Sequence, residues 1–426
     1  MRKDHLIQSS TPISIGPFNK GLGDMEGILD EGSASSADWN LLREDLSLPA
    51  AVLYQDKLQH NLQWMKRFIA AYGMQLAPHG KTTMAPKLFQ MQLDAGAWGI
   101  TLATAQQVKV AYAYGVRRVL MANQLVGKQN MAIIAGLLAD PEFEFYCIVD
   151  SAENVRQLGQ FFLNSNQRLT VLLELGVEGG RAGVRNEDQL NAVIAELAGY
   201  SSSIALSGIE VYEGVLSDES SIRAYLRGAA EVLRRLSEKE AFGHDPILLS
   251  GAGSAWYDVV AEQFSAAQFG KNVQVILRPG CYLTHDAGAY RQAQSRILKS
   301  NPIAREMKEG LEPALHIWAY VQSMPEQGRA IIGMGKRDAA FDSGLPIPAL
   351  HFRPGGAAPA AVPSHWTITK MMDQHAFMQV ESGDDLRVGD MIAFDICHPC
   401  LTFDKWRTLA IVNADFQVID IVQTFF

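Results

Sequence analysis

The sequence predicts an α/β protein: a (β/α)8 barrel of the TIM type, followed by an all-β domain. Three observations carry this reading. Short apolar runs recur between Met74 and Pro279, each followed by an amphipathic stretch. After about Tyr290 the helical stretches give way to strand-like runs separated by Gly, Pro and Asp turns. The chain of 426 residues is also longer than one hydrophobic core usually serves. It divides into an N-terminal arm over 1–45, a barrel over 46–300 and a β-domain over 301–426. A doubly wound sheet is the alternative for the repeating part.

The arm, rich in Gly, Ser and Asp, is expected to be extended. Strand candidates then follow in order: "MQLAP" (74–78), "WGITLA" (98–103), "RRVLMA" (117–122) and "FEFYCIVD" (143–150). "LTVLLEL" (169–175), "IALSGIEVY" (204–212), "PILLS" (246–250) and "VQVILRP" (273–279) complete the eight. Each is short and mostly apolar, as a strand covered on both faces must be. Between them, "AQQVKVAYAYG" and "SIRAYLRGAAEVLRRLSEKEAFG" read as amphipathic helices. In the second, Ile222, Leu226, Ala229, Val232, Leu233 and Leu236 recur at helical spacing. Near and beyond residue 300, "ALHIWAYVQSM", "RAIIGMG", "HAFMQVE", "MIAFDICH" and "TLAIVNADFQVIDIV" read as strands.

Composition narrows the partners. A hydrophobic fraction of 48% and a charged fraction of 19% are those of a globular protein. A net charge of -9 argues against nucleic acid or an anionic membrane surface. No run of about 18 apolar residues marks a membrane span, and "MRKDHLIQSS" has no apolar segment behind its basic residues. Four cysteines do not make a disulfide scaffold in so long a chain. The expectation is a cytoplasmic protein acting on a small molecule.

Catalytic groups of such a barrel lie in the loops after its strands. Lys81, in "LAPHGKTTMAPKLF" (76–89), follows the first strand, and "GVEGGRAGV" (176–184), with Arg181, follows the fifth. Tyr212 closes the sixth; "SGAGS" (250–254) and "RPGCYLTHD" (278–286) follow the seventh and eighth. All five stretches therefore open on one rim. Gly251, Gly253 and Ser254 can offer N–H groups to a phosphate, although a tight turn alone would use the same glycines. Lys81 opposite such a site suggests a Schiff base with pyridoxal phosphate. A lysine partly desolvated at a strand end serves as nucleophile and base.

These motifs resemble the fold-type III pyridoxal-phosphate enzymes related to D-serine dehydratase and D-threonine aldolase. "PHGKTT" is similar to their Pro-His-X-Lys-Thr-His, "ELGVEGGRAGV" to Gly-X-X-Arg-X-Gly-Val, and "GIEVYEG" to Tyr-X-Gly. "LRPGCYLTHD" is similar to Arg-Pro-Gly-X-Tyr. "FDSGLP", "DQHAFMQVE" and "HPC", with Asp342, His375 and His398, look like the family's C-terminal domain. The early arm and "WNLLREDLSLP" look like a bacterial subgroup of D-serine deaminases. The resemblance implies that His79, Arg181, Tyr212 and Tyr282 surround a cofactor on Lys81, with Arg181 at the pyridine nitrogen. A purely structural histidine is the competing reading of His79. Thr83 and Val215 depart from the pattern, standing where the family often has histidine.

"DICHPCLTFDKW" (395–406) admits two readings. Cys397 and Cys400 have the C-x-x-C spacing of a redox pair, which needs a helix N-terminus to lower a thiol pKa. In an extended segment His398 and Cys400 instead share one side and can hold one metal ion. The resemblance favours the second, since a His-X-Cys pair binds zinc in the D-serine dehydratases. Cys147 reads as core, Cys281 as a bystander on the rim and His316 as structural.

The implied activity is a lyase eliminating water from a β-hydroxy D-amino acid, zinc assisting loss of the hydroxyl, in a homodimer. Retro-aldol cleavage of D-threonine, amino-acid racemisation with Tyr282 as second base, and non-catalytic pyridoxal-phosphate binding are the alternatives.

Overall fold

The computed structural model describes residue 16 and residues 18–23, 38–165, 167–270 and 272–426. Most of the expected arm lies outside these residues. What is described of it rests on the second sheet: Lys20 Nζ lies 2.9 Å from Asp338 and 3.7 Å from the centre of the Trp406 ring.

The first strand, β1 (Ala50–Tyr54), stands apart from the barrel. The barrel strands are β2 (Gln75–Leu76), β3 (Ile100–Leu102), β4 (Arg118–Gln124) and β5 (Glu144–Val149). They continue with β6 (Leu169–Leu175), β7 (Ile204–Val211), β8 (Ile247–Gly251) and β9 (Val273–Leu277). All neighbours are parallel, in the order β2-β9-β8-β7-β6-β5-β4-β3. The seam between β2 and β3 is closed by a bridge from His79 to Thr101, whose N–H donates to Pro78 O at 2.9 Å. All eight strand candidates are present. β2 keeps only two residues, because Pro78 has no N–H to extend the ladder.

Leu120, Tyr146, Ile148, Leu172, Leu248 and Ile276 fill the barrel interior. The outer face of the sheet packs against the crossover helices. Four of these helices begin at residues suited to capping. Thr104, Ser151, Asn186 and Asp218 each accept the N–H three residues on, a contact worth about 1 kcal/mol. Helix Glu219–Glu238 buries Ile222, Leu226, Ala229, Leu233 and Leu236 as expected, while Val232 only rims the core. Gly208 lets β7 and β8 meet; a Cβ there would stand 1.8 Å from Leu248 O.

Among the described residues, the second sheet has ten strands. They are β1, β10 (Leu315–Glu326), β11 (Arg329–Ile332), β12 (Ile347–Phe352) and β13 (Ala360–Ala361). The others are β14 (Thr367–Met371), β15 (Ala376–Gln379), β16 (Met391–Asp395), β17 (Thr408–Val412) and β18 (Val418–Gln423). β1 lies inside it, antiparallel to β10 and parallel to β17, with all five residues buried. A short apolar run such as "AAVLY" does not declare which sheet it will join. His316 is structural, as read: it is buried between Tyr54 Oη at 3.0 Å and Asp395 at 2.8 Å.

Candidate active site

Lys81 sits in a single 3-10 turn, Gly80–Thr82, directly after β2 at the barrel mouth. It is exposed there, against the expectation of partial desolvation, because this side of the mouth is open. The turn packs tightly against the loop after β9. A Cβ on Gly280 would stand 2.6 Å from His79 Cβ.

His79 Nε2 lies 3.2 Å from Arg278 Nη1. Arg278 is buried, and donates to Glu210 on β7 and to Val211 O at 3.2 Å. Desolvation, then Arg278, Lys81 and Arg181, hold the His79 imidazole well below its ordinary pKa and so neutral. Those three cations within reach of one ring make the mouth suited to anions. Beneath them, Glu174 accepts from Gln124 at 2.9 Å, and burial followed by Glu210 pushes its carboxyl up to about 8. Burial likewise raises Glu210, with Arg278 opposing. Sequence reasoning missed Glu174, Glu210 and Arg278 as a group. The available signal was a charged residue inside or at the end of an otherwise apolar strand run.

Arg181 is exposed, its guanidinium 5.2 Å from the centre of the Tyr212 ring. The "SGAGS" loop differs from expectation in its donors. Gly251 ends β8, and the N–H groups of Ala252 and Gly253 donate to the buried Glu213 carboxylate at 3.1 and 2.7 Å. Ser254 Oγ accepts from Gly280 N–H and Cys281 N–H, both at 3.1 Å. The N–H groups of Ser254 and Ala255 have no partner among the described residues and precede helix Tyr257–Ala266. A helix N-terminus favours an anion at that point. Tyr282 does not join this group. It is buried in the core, lining a cavity with Leu62, Ile69 and Leu76, because its neighbour Cys281 takes the side facing the rim.

The residues fit pyridoxal phosphate by an independent sign. His79 Nδ1, Thr83 Oγ1, Glu210 Oε2 and Arg278 Nε are buried without a hydrogen-bond partner among the described residues. Such orphaned groups are rare unless a ligand meets them. Val215, the other departure from the histidine pattern, is exposed.

The Cys-His-Pro-Cys segment reaches this mouth from the second sheet. Cys400 Sγ lies 3.4 Å from Thr82 Oγ1 and 3.8 Å from Cys281 Sγ. Cys281 is therefore no bystander. The segment is not extended: Pro399 is helical and Cys400 opens a short helix, Cys400–Phe403. The turn of the chain, not strand alternation, brings His398 towards Cys400. Cys397 faces away, donating to Leu345 O at 3.3 Å, so the C-x-x-C pair is not formed.

Hydrogen bonds to Cys400 from Cys281, His398 and Thr82 lower its thiol to about 4. Cys400, then Asp342, whose carboxylate lies 2.7 Å from His398 Nδ1, raise His398 to about 9. Asp342 so acquires a role that the sequence did not give it. His375 lies in the turn between β14 and β15. Among the described residues, no three His, Cys, Asp or Glu side chains stand ready to hold a metal. The thiolate and the carboxylate-oriented imidazole are nonetheless a donor pair that fits zinc.

A cationic mouth around a strand-end lysine defines a barrel of the alanine racemase type. Residues 53–283, over half the chain, match the family "Alanine racemase, N-terminal domain", and residues 314–412 match "Putative serine dehydratase domain". The chain belongs to the fold-type III pyridoxal-phosphate enzymes, and pyridoxal phosphate is that family's cofactor. It is 25% identical to D-threonine aldolase of an Arthrobacter species over 341 residues, 79% of this chain and 80% of the relative. It is 26% identical to D-threo-3-hydroxyaspartate dehydratase of Delftia sp. strain HT23 over 198 residues, 46% of this chain and 50% of that one. The solved structure of D-threonine aldolase from Filomicrobium marinum superposes with a TM-score of 0.75 at 22% identity, covering 91% of this chain and 97% of the other. No helix among the described residues is long and apolar enough to cross a membrane.

Proposed function

We propose that this protein is a pyridoxal-phosphate lyase that eliminates water from a β-hydroxy D-amino acid, D-serine being the simplest, to give a keto acid and ammonia. The observation that carries the reading is the seat of Cys400 against Thr82, one residue from Lys81. It brings a soft metal-binding pair to the lysine expected to do the chemistry. The relatives supply the reaction class. One is a D-threo-3-hydroxyaspartate dehydratase, and a cysteine-to-alanine variant of that enzyme is described in a metal-free form.

Pyridoxal phosphate, when bound, supplies the electron sink that acidifies the substrate's Cα–H. Lys81 Nζ would anchor it and would serve as the base for the Cα proton. The N–H groups of Ser254 and Ala255, without a partner among the described residues and just before a helix, would hold the phosphate beside Gly253. Arg181, beside Tyr212, would meet the pyridine nitrogen, and the Arg278–Glu210 pair would fix His79 against the cofactor. His398 and Cys400 would hold zinc, which there supplies a Lewis acid for a poor leaving group, hydroxide. Asp342 orients the His398 ring. The same reading takes the protein to be a cytoplasmic homodimer acting on a free D-amino acid.

A second reading, retro-aldol cleavage to glycine and an aldehyde, draws on the likeness to D-threonine aldolase. Racemisation draws no support from Tyr282, which is buried beside Leu62, Ile69 and Leu76. The test is to incubate the holoenzyme with D-serine, L-serine, D-threonine and D-threo-3-hydroxyaspartate and identify the products. A keto acid and ammonia from D-substrates support the elimination; glycine and an aldehyde would replace it with the aldolase.

A further inference from the structure

We infer that Cys281 is a third protein ligand of the metal held by His398 and Cys400, making a site of two thiolates and one imidazole. The inference rests on the zinc reading above and extends it to a residue of the barrel.

The distance carries the argument. Cys281 Sγ and Cys400 Sγ are 3.8 Å apart. Two thiolates on one tetrahedral zinc, each at about 2.3 Å, stand about 3.8 Å from each other. A disulfide would require about 2.05 Å; the 3.8 Å now spanned by a thiol hydrogen bond is also the spacing of two thiolates on one ion. Cys281 is 3% exposed, and its N–H is fixed by Ser254 Oγ at 3.1 Å. That anchoring holds the thiol at the mouth from the barrel side, while Cys400 and His398 approach from the other domain. As the side chains stand, no three such groups among the described residues already gather to hold a metal. Binding therefore includes rotation of at least one of the three, and the half-buried His398, tied to the exposed Asp342, has room for it.

The consequence is chemical. Three protein ligands leave a tetrahedral zinc one exchangeable position, enough for a single substrate oxygen. The metal would also bridge the two domains at Lys81.

The test reads the metal directly. The full-length protein is stripped of metal and loaded, under reducing conditions, with zinc or with cobalt(II). Sulfur ligands are counted by X-ray absorption at the zinc edge. Thiolate-to-cobalt charge transfer is compared among the wild type, Cys281→Ser and Cys400→Ser. Two sulfurs in the wild type are expected, with charge transfer falling by about half in each variant. Zinc affinity, from competition with a chelator, should drop about tenfold or more in Cys281→Ser. One sulfur in the wild type, with Cys281→Ser unchanged and Cys400→Ser depleted, overturns this inference and leaves the two-ligand site intact. No sulfur in the wild type, with binding unaffected by either variant, overturns both. The wild-type sulfur count decides even if a variant fails to fold.

Discussion

Thr82 Oγ1 and Cys400 Sγ stand 3.4 Å apart although 318 residues separate them in the chain. Thr82 is the neighbour of Lys81 and is buried. The contact therefore locks the segment after β16 to the turn that carries the lysine. Any change that unseats this segment should disturb both halves of the site together.

Lys81 should carry the cofactor covalently. Borohydride treatment of the yellow holoenzyme should fix pyridoxal to the peptide containing Lys81. Lys81→Ala should lose roughly 10²–10⁴-fold in turnover, the usual worth of a positioned acid–base group. Fixation on a different lysine would remove the proposed mechanism.

Metal removal should separate elimination from cofactor binding. Chelated wild type and Cys400→Ala should keep the cofactor's visible absorbance but release almost no pyruvate from D-serine. Added zinc should restore the chelated wild type and not the variant. Full-rate elimination by a demonstrably metal-free enzyme would contradict this.

Arg278 and Glu210 form a buried pair, and breaking one side should cost more than removing both. Arg278→Met leaves an uncompensated carboxylate and should destabilise by about 3–5 kcal/mol. The double variant Arg278→Met with Glu210→Leu should recover a large part of that. Denaturant unfolding of the three proteins checks it, and additive losses would be the wrong outcome.

Glu174 predicts a pH dependence of stability. Its folded pKa, about 8, lies above the ordinary value of 4.5. Its contribution is therefore fully present below about pH 4.5 and lost as the pH rises through about 8. Glu174→Gln mimics the protonated form, so it should match the wild type at pH 5 and melt roughly 2 °C or more higher at pH 9. Equal melting temperatures at pH 9 would mean that Glu174 ionises freely.

Gly253 tests the phosphate seat. A Cβ there would lie 3.2 Å from Tyr212 Cε2 and 3.4 Å from Glu213 Oε1. A larger side chain such as valine must push that loop aside. Gly253→Val should weaken cofactor affinity about tenfold, about 1.4 kcal/mol, with the far-UV spectrum unchanged. Unaltered affinity would put the phosphate elsewhere.

The barrel was legible because doubly covered parallel strands announce themselves as short apolar runs, although the first two candidates shrank to two and three residues. β1 was not, since its partners lie hundreds of residues away and local pattern carries no register. Around Lys81, the motifs led to His79, Arg181, Tyr212 and Ser254, which the fold gathers at one mouth. Tyr282 went astray because adjacent residues in a turn face opposite ways. Glu213 was invisible as a partner of the glycine loop, and Cys281 as a neighbour of Cys400. Both contacts join distant segments, and a single sequence records neither distance nor direction between them.

β1 also sets the order in which the molecule can be completed. Leu53 pairs with Leu315, and Val52 with Ala410, so an early segment waits for two later ones. At roughly 5–20 residues per second, the ribosome needs about 10–50 s to make the first of those partners. Until then five apolar residues have no sheet to enter and depend on chaperones or on the growing barrel for cover. A fragment beginning at residue 301 would lack this inner strand and present open β10 and β17 edges to other chains. Expression of residues 301–426 alone should therefore give aggregates, while the intact chain closes its second sheet only after synthesis is almost finished.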